Sequence, residues 1–333
     1  MKKILKFGGS SIANAERIQQ VLSIIENTLN SSHEIFVVIS AFQGVTDALI
    51  KIGTTVRDGK YNETSLSEIL SKHEEIIMQL GLDTDMHLGT HFKQLSSELE
   101  KHIPRCPGAS VDFKMWMDEL LCYGELFSVR ILTGLLRSKH IDAELLDARK
   151  VVVTDSNYGN AYVHYQRSYD RIRSYVSNRS RLQIITGFLG ANEYGKATTL
   201  GRSGSDYSAS IFGAALNVDE IEIWTDVDGI LTANPKFVNE PRSISELTYE
   251  EAMELAHAGA KVIFPPTMIP ALYKHIPIIV KNTFHPELPG TRIAQERVLA
   301  GEITVGISSV SNVSLIRMQG AGMVGVKGIN ARL

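Results

Sequence analysis

The chain is 333 residues long, 44% hydrophobic and 21% charged, with a formal charge of −3; that length can bury the core of one large α/β unit or of two smaller ones. The near-balanced charge leaves no electrostatic footprint for nucleic acid or an anionic membrane, and no apolar run is long enough to span a bilayer. Cys106 and Cys122, the only cysteines, lack CxxC or His-paired spacing, so neither a disulfide framework nor a structural zinc site is supported, and a small-molecule partner in a reducing cytoplasm is expected.

Taken in order, a short apolar run at Ile4-Leu5 meets Lys6-Phe7-Gly8-Gly9-Ser10-Ser11. Ile18, Val21, Leu22, Ile25 and Leu29 then recur at helical spacing. A glycine pair between a strand and a helix lets backbone N–H groups approach an anion, with the helix N-terminus and the charge of Lys6 beside them. A tight turn with a solvated lysine explains the same residues. Glu34 to Ser40 reads as a buried parallel strand running into a glycine loop, Ala41 to Asp47, and a new helix. From about residue 60 to 140 the pattern is helical, broken at Pro104 and Pro107. Its third helix carries Phe113, Trp116, Met117, Leu120 and Leu121 and then Glu125, a carboxylate among apolar neighbours.

Strands are expected again at Ile141 to Leu146 and Val151 to Thr154, a helix through Tyr162, Tyr165, Tyr169, Ile172 and Val176, and a buried strand from Arg181 to the glycines Gly187 and Gly190. The succession of βα units predicts an α/β fold with a mostly parallel sheet covered by helices on both faces, and chemistry in the loops that follow strands. The densest such loop is Thr199 to Ala209. Ser205 and Asp206 there suit helix N-caps, but capping leaves Arg202, between two glycines, unexplained. Glu220 to Trp224 forms a strand ending in Thr225-Asp226-Val227-Asp228-Gly229, which suits a turn, Mg²⁺ or a ribose. Thr248 to Glu251 has the spacing of a capping box, opening a helix that ends near Lys261. A further strand spans Ile276 to Val280, and strand-like runs follow at 303–310 and 313–318. Gly320 to Gly325 satisfies GxGxxG, but the chain ends before a helix, a second strand and a ribose-binding acid could follow.

No P-loop motif and no HRD or DFG motif occurs, so those routes to phosphoryl transfer are unsupported. Five motifs in order resemble the aspartate kinases of the amino-acid kinase family, most closely the kinase half of bifunctional aspartokinase/homoserine dehydrogenases. They are Lys6-Phe-Gly-Gly-Ser-Ser11, Gly124-Glu-Leu-Phe-Ser128, Gly201-Arg-Ser-Gly-Ser-Asp-Tyr-Ser-Ala209, Trp224-Thr-Asp-Val-Asp-Gly-Ile230 and Gly259-Ala-Lys-Val262. The resemblance implies a carbamate-kinase-like fold and ATP-dependent phosphorylation of the side-chain carboxylate of L-aspartate to 4-phospho-L-aspartate, the first step toward lysine, threonine and methionine. That chemistry needs no general base, since a carboxylate is ionised at neutral pH; it needs two anions held together and developing charge neutralised.

The resemblance also implies roles. Lys6, Gly8 and Gly9 would clamp the transferring phosphoryl, with Asp206 orienting Lys6 and Mg²⁺ arriving on ATP. Arg202 would take the substrate's α-carboxylate and Glu125 its ammonium, while Ser10, Thr46, Phe188 and Ser205 shape the aspartate pocket. Thr225, Asp226, Asp228, Lys236 and Lys261 would hold the nucleotide; no dedicated metal ligands are implied. Two departures bear on nucleotide binding: Asn234-Pro235-Lys236 where the family has Asp-Pro-Arg, and Phe264-Pro265 where it has His-Pro. The implied organisation is a catalytic domain over 1–300, with an aspartate-binding lobe at 1–200 holding the helical insertion and a nucleotide-binding lobe at 201–300. Residues 301–333 would be the opening strands of a truncated ACT regulatory domain, as in a piece of a longer polypeptide, leaving no self-contained lysine or threonine effector site. A homodimer is expected. The alternatives are another amino-acid kinase, of the glutamate 5-kinase or acetylglutamate kinase type, and a catalytically silent nucleotide-binding subunit. Glu125 argues against a substrate with a blocked amine.

Overall fold

The computed structural model describes residues 1–31, 34–257, 263–297 and 306–309. Lys261 and nearly all of the segment from 301 to 333 lie outside the described residues. The chain opens with β1 (Lys2–Phe7), α1 (Ala15–Ser31), β2 (Glu34–Ile39) and α2 (Val45–Arg57), followed by α3 (Thr64–Gln79), α4 (Met86–His102) and α5 (Phe113–Ser138). Then come β3 (Glu144–Leu146), β4 (Val153–Thr154), α6 (Tyr165–Val176), β5 (Leu182–Thr186), β6 (Leu189–Asn192), β7 (Ala197–Thr199), α7 (Gly204–Leu216) and β8 (Glu220–Thr225). The described chain closes with β9 (Glu246–Thr248), α8 (Tyr249–His257), α9 (Pro265–Tyr273), β10 (Ile278–Asn282) and β11 (Thr291–Ala294).

Among the described residues one sheet has 8 strands in the order β3-β5-β2-β1-β8-β10-β11-β9. The six strands from β3 to β10 in that order are parallel to their neighbours, and only the β10–β11 pairing is antiparallel. β2 is buried on both faces, which is why residues 35–39 read as an unbroken apolar run rather than an alternation, and β1 is buried from Ile4 to Phe7 even though Lys6 interrupts its apolar residues. α1 buries Ile18, Val21, Leu22 and Ile25, one stripe of an otherwise polar helix. Helices flank the sheet: α7 packs on β1, β2 and β8 and against α6 and α9, while α5 packs on β2, β3 and β5. α5 is therefore part of the sheet's covering layer, which its sequence, read as the end of an insertion, did not reveal.

A second, 3-stranded sheet, β4-β6-β7, was not foreseen; the run ending at Gly190 continues as β6 and turns back antiparallel into β7. β9, β11 and α9 were likewise missed, and Tyr162 precedes α6 instead of belonging to it. The capping box is formed as expected: the Glu251 side chain accepts from the Thr248 N–H at 2.7 Å, and Thr248 Oγ1 accepts from the Glu251 N–H at 3.1 Å. Because the strands are parallel, the loops after β1, β2, β5, β8 and β10 emerge at one edge of the sheet.

Candidate active site

Lys6 sits one residue from the end of β1, in register with Val38 of β2 and Ile223 of β8. Flanking strands leave it 8% exposed, and its Nζ lies 2.6 Å from Asp206 Oδ1, an ion pair across to the first turn of α7. The N-cap of α7 is Ser203, in the left-handed region at φ 53°. Ser205 and Asp206 therefore lie inside the first turn and are not caps; an acid there is favoured by the helix dipole and is free to face Lys6.

The glycine pair does not run straight into α1. A single 3-10 turn, Gly9–Ile12, comes first, so the N-terminus beside the glycines belongs to that turn. The Gly8 N–H is turned to the Trp224 carbonyl at 3.4 Å, tying the loop to β8; the open amides are those of Gly9 and Ser10, which a first helical turn leaves without intrahelical acceptors. A Cβ at Gly8 would stand 3.4 Å from Lys6 Nζ, and one at Gly9 would stand 3.0 Å from the Ala41 carbonyl oxygen. A side chain at Gly9 would crowd the Ala41 carbonyl, and one at Gly8 would sit against the Lys6 ammonium. Ser11 fixes the far side, its Oγ 2.7 Å from Thr283 Oγ1 after β10.

Glu125 is 3% exposed in the middle of α5. Its Oε1 accepts the Ala41 N–H at 3.1 Å, whereas Oε2 is buried without a hydrogen-bond partner among the described residues. The helix can come this close because a Cβ at Gly124 would meet the Ala41 Cβ at 2.7 Å. Burial pushes the Glu125 carboxyl up to about 8, only partly opposed by the Ala41 amide. A cation at Oε2 would reverse that shift. Next to Ala41, the Ser40 hydroxyl donates to Ser205 Oγ at 2.8 Å and its carbonyl accepts from Ser128 Oγ at 2.7 Å. Ser40 thus joins the β2 loop, α5 and α7, and no motif pointed to it.

Thr46, Phe188 and Arg202 line one cavity of about 640 Å³, together with Met117, Asp118 and Asn160. Phe188 holds φ 66°, an uncommon conformation for an aromatic residue, which costs about 1–3 kcal/mol and must be held by its surroundings. Its N–H donates to Ser208 Oγ at 2.9 Å, and its carbonyl accepts from the Leu200 N–H at 2.9 Å. Arg202 is exposed, its guanidinium 5.4 Å from the centroid of the Phe264 ring, so the residue that departs from the family's His stacks under the candidate carboxylate ligand. Asp118, also missed, is 1% exposed and anchors two cavity walls: its carboxylate accepts from the Gly159 N–H at 3.0 Å, the Thr199 N–H at 2.8 Å and Thr199 Oγ1 at 2.8 Å.

On the other side of Lys6, beyond β8, Thr225 Oγ1 donates to Asp226 at 3.2 Å and Asn282 donates to Asp228 at 2.6 Å. Lys236 is on an exposed loop, with its backbone N–H bonded to the Asn234 side chain at 3.0 Å. Among the described residues no three His, Cys, Asp or Glu side chains gather into a metal site. No helix there is long and apolar enough to cross a membrane.

The site joins a lysine and an open glycine turn after β1, an acidic loop after β8 and an arginine-bearing loop before α7, on a mostly parallel α/β sheet without a P-loop. Residues 1–282 match the amino acid kinase family, and the chain belongs to that family. It is 34% identical, over 98% of its length, to the chloroplastic bifunctional aspartokinase/homoserine dehydrogenase 2 of Arabidopsis thaliana, of which it spans 37%. It is 35% identical, over 87% of its length, to the aspartokinase of Chlamydia pneumoniae, of which it spans 62%. Among solved structures, E. coli aspartokinase III in complex with aspartate and ADP superposes with a TM-score of 0.81 at 29% identity, covering 89% of this chain and 65% of that one. The chain therefore spans less than two thirds of each of these relatives.

Proposed function

We propose that the chain transfers the γ-phosphoryl of ATP to the side-chain carboxylate of L-aspartate, giving 4-phospho-L-aspartate. The observation that carries this is Glu125: a buried carboxylate with one oxygen unpaired among the described residues, close to the β2 loop that also touches the glycine turn. Such a group is matched by a ligand ammonium. Arg202 would supply the complementary cation for the α-carboxylate, with Thr46 and Phe188 in the same cavity lining, and Ser205, bonded to Ser40 beside the Ala41 amide that holds Glu125, would bound the pocket on the α7 side. Lys6, held by Asp206, would neutralise charge developing on the transferring group, with the Gly9 and Ser10 amides at its oxygens and Gly8 leaving the room. Thr225, Asp226, Asp228, Lys236 and Lys261 are assigned to the nucleotide. Mg²⁺ would neutralise phosphate charge; with no carboxylate cage among the described residues to hold it by itself, those residues fit an ion carried by the phosphates. The organisation into an aspartate lobe, a nucleotide lobe and an ACT-like segment, a homodimer, and a cytoplasmic location belong to the same reading.

The test is a hydroxylamine trap for acyl phosphate with ATP and Mg²⁺. Hydroxamate from aspartate, and none from glutamate or acetylglutamate, is expected. No hydroxamate from any of the three would overturn the proposal.

A further inference from the structure

α4 and α5 enclose a second cavity, of about 300 Å³, lined by Asp85, His87 and His91 from the α4 end and by Arg130, Thr133 and Arg137 from α5. It shares no lining residue with the cavity at Thr46, Phe188 and Arg202. Arg130 and Arg137 lie about 8 and 18 Å further along α5 than Glu125, by the rise of a helix.

The electrostatics of this lining are one-sided. His87 and His91 are one turn apart, with ring centroids 4.5 Å from each other. Arg130 and Arg137 are two turns apart and so share a face of α5. Arg130 Nη1 donates to the Leu126 carbonyl at 3.0 Å and Arg137 Nε to the Ala143 carbonyl at 2.9 Å. Each guanidinium has five donors, so most remain for other partners. Neither forms an ion pair with a carboxylate among the described residues, where the paired arginines are 57, 149, 173, 179, 292 and 297. Asp85, the acid in the lining, is engaged as the N-cap of α4, accepting from the His87 and Leu88 N–H groups at 2.9 and 3.0 Å. Glu98 and Asp147 act on Arg130 at longer range, and Arg149 opposes them. Burial holds His91 below the ordinary imidazole range, and His87, Arg130 and Arg137 add to that. Four groups that are or can become cationic thus face a common space.

We propose that this cavity binds a small tetrahedral dianion of the phosphate or sulfate class. Two guanidiniums and two imidazoles converge from two helices, while the Thr133 hydroxyl in the same lining donates to the Val129 carbonyl at 2.7 Å; that donor set suits an anion with oxygens in several directions, whereas a planar carboxylate is satisfied by a single fork. The paired histidines alone would suit a metal ion, but two arginines beside them repel one. A dianion favours the imidazolium form of His91, so its binding takes up a proton and tightens as pH falls.

Sulfate is the probe, because its charge does not change across that range. Calorimetry on the full chain, with histidine C2–H resonances followed by NMR, should show sulfate shifting His87 and His91 and binding more tightly as pH drops from about 8 to about 6. Arg137→Gln, at an exposed position, and Arg130→Lys should each weaken sulfate about tenfold. Competition of inorganic phosphate and glycerol 3-phosphate against sulfate identifies the source, and preference for either supports the site. Equal sulfate affinity in the parent and both variants, pH-independent affinity, or uptake of Zn²⁺ in place of sulfate overturns it.

Discussion

Substitution of Glu125 by glutamine should remove a pH dependence from aspartate binding, and the size of the effect follows from where the carboxyl sits. With the carboxyl pushed up to about 8 in the unliganded protein, about a tenth of the chains carry Glu125 ionised at pH 7, so an ammonium that needs the carboxylate binds about tenfold below its limit, a cost of about 1.4 kcal/mol. Below the shifted value, affinity should rise about tenfold per pH unit and then level off above it. Isothermal titration of aspartate, with ATP absent, measures this directly, and repeating it in buffers of different ionisation enthalpy counts the proton released. In Glu125→Gln the profile should be flat and the binding weaker throughout, because the ammonium then meets a neutral amide. A flat profile in the parent, or a slope retained in the variant, would show that Glu125 does not face the ammonium and would remove the main support for an amino-acid substrate.

The same carboxyl predicts the stability of the unliganded chain. Its folded value is raised above the ordinary 4.5, so the folded state binds the extra proton between about pH 4.5 and 8, and stability should fall as pH rises through that window; chemical denaturation should show Glu125→Gln gaining on the parent at the alkaline end, and an unchanged difference across the window would contradict it. Lys6→Ala should lower kcat by far more than tenfold, over ~1.4 kcal/mol, with little effect on aspartate affinity, since its charge acts where negative charge develops; steady-state hydroxamate assays decide this, and a kcat within about tenfold of the parent refutes the clamp. Arg202→Ala should raise the KM for aspartate and leave ATP binding nearly unchanged, and calorimetry showing equal losses for both ligands would move Arg202 to the nucleotide side.

The parts of the fold that were legible are those where local pattern and burial agree. Residues 35–39 of β2 and Ile18 to Ile25 in α1 announce a doubly buried strand and a one-sided helix because burial alone selects those residues. β9 and β11 are three and four residues long and exist by pairing, β9 with β11 and β11 also with β10, so no window of sequence holds their signal. α9 hides behind Pro265, Pro266 and Pro270; the first two occupy its opening positions, where a missing N–H costs little. At the site, Lys6, Gly8 and Gly9 were suggested by chemistry after a strand, whereas the roles of Glu125 and Arg202 came from resemblance, since nothing in their spacing announces a ligand. Ser40 and Asp118 could not be found either way, and Ser208 falls within a motif that gives it no role. Their partners are 165, 81 and 20 residues distant in the chain, and only folding brings them together.

Asp118 and Glu125 are both on α5, two turns apart and therefore on one face, about 10 Å from one another along the axis. The first anchors the loops at Gly159 and Thr199; the second presents the unpaired oxygen. A rigid helix thus sets the spacing between the wall of the cavity and the charge that would receive an amine, and neither can shift without carrying the other. Directed selection for acceptance of a substrate longer by one methylene should therefore collect its substitutions around Thr46, Phe188 and Asn160, which line the cavity together with Met117 and Asp118 of α5, while leaving α5 itself untouched.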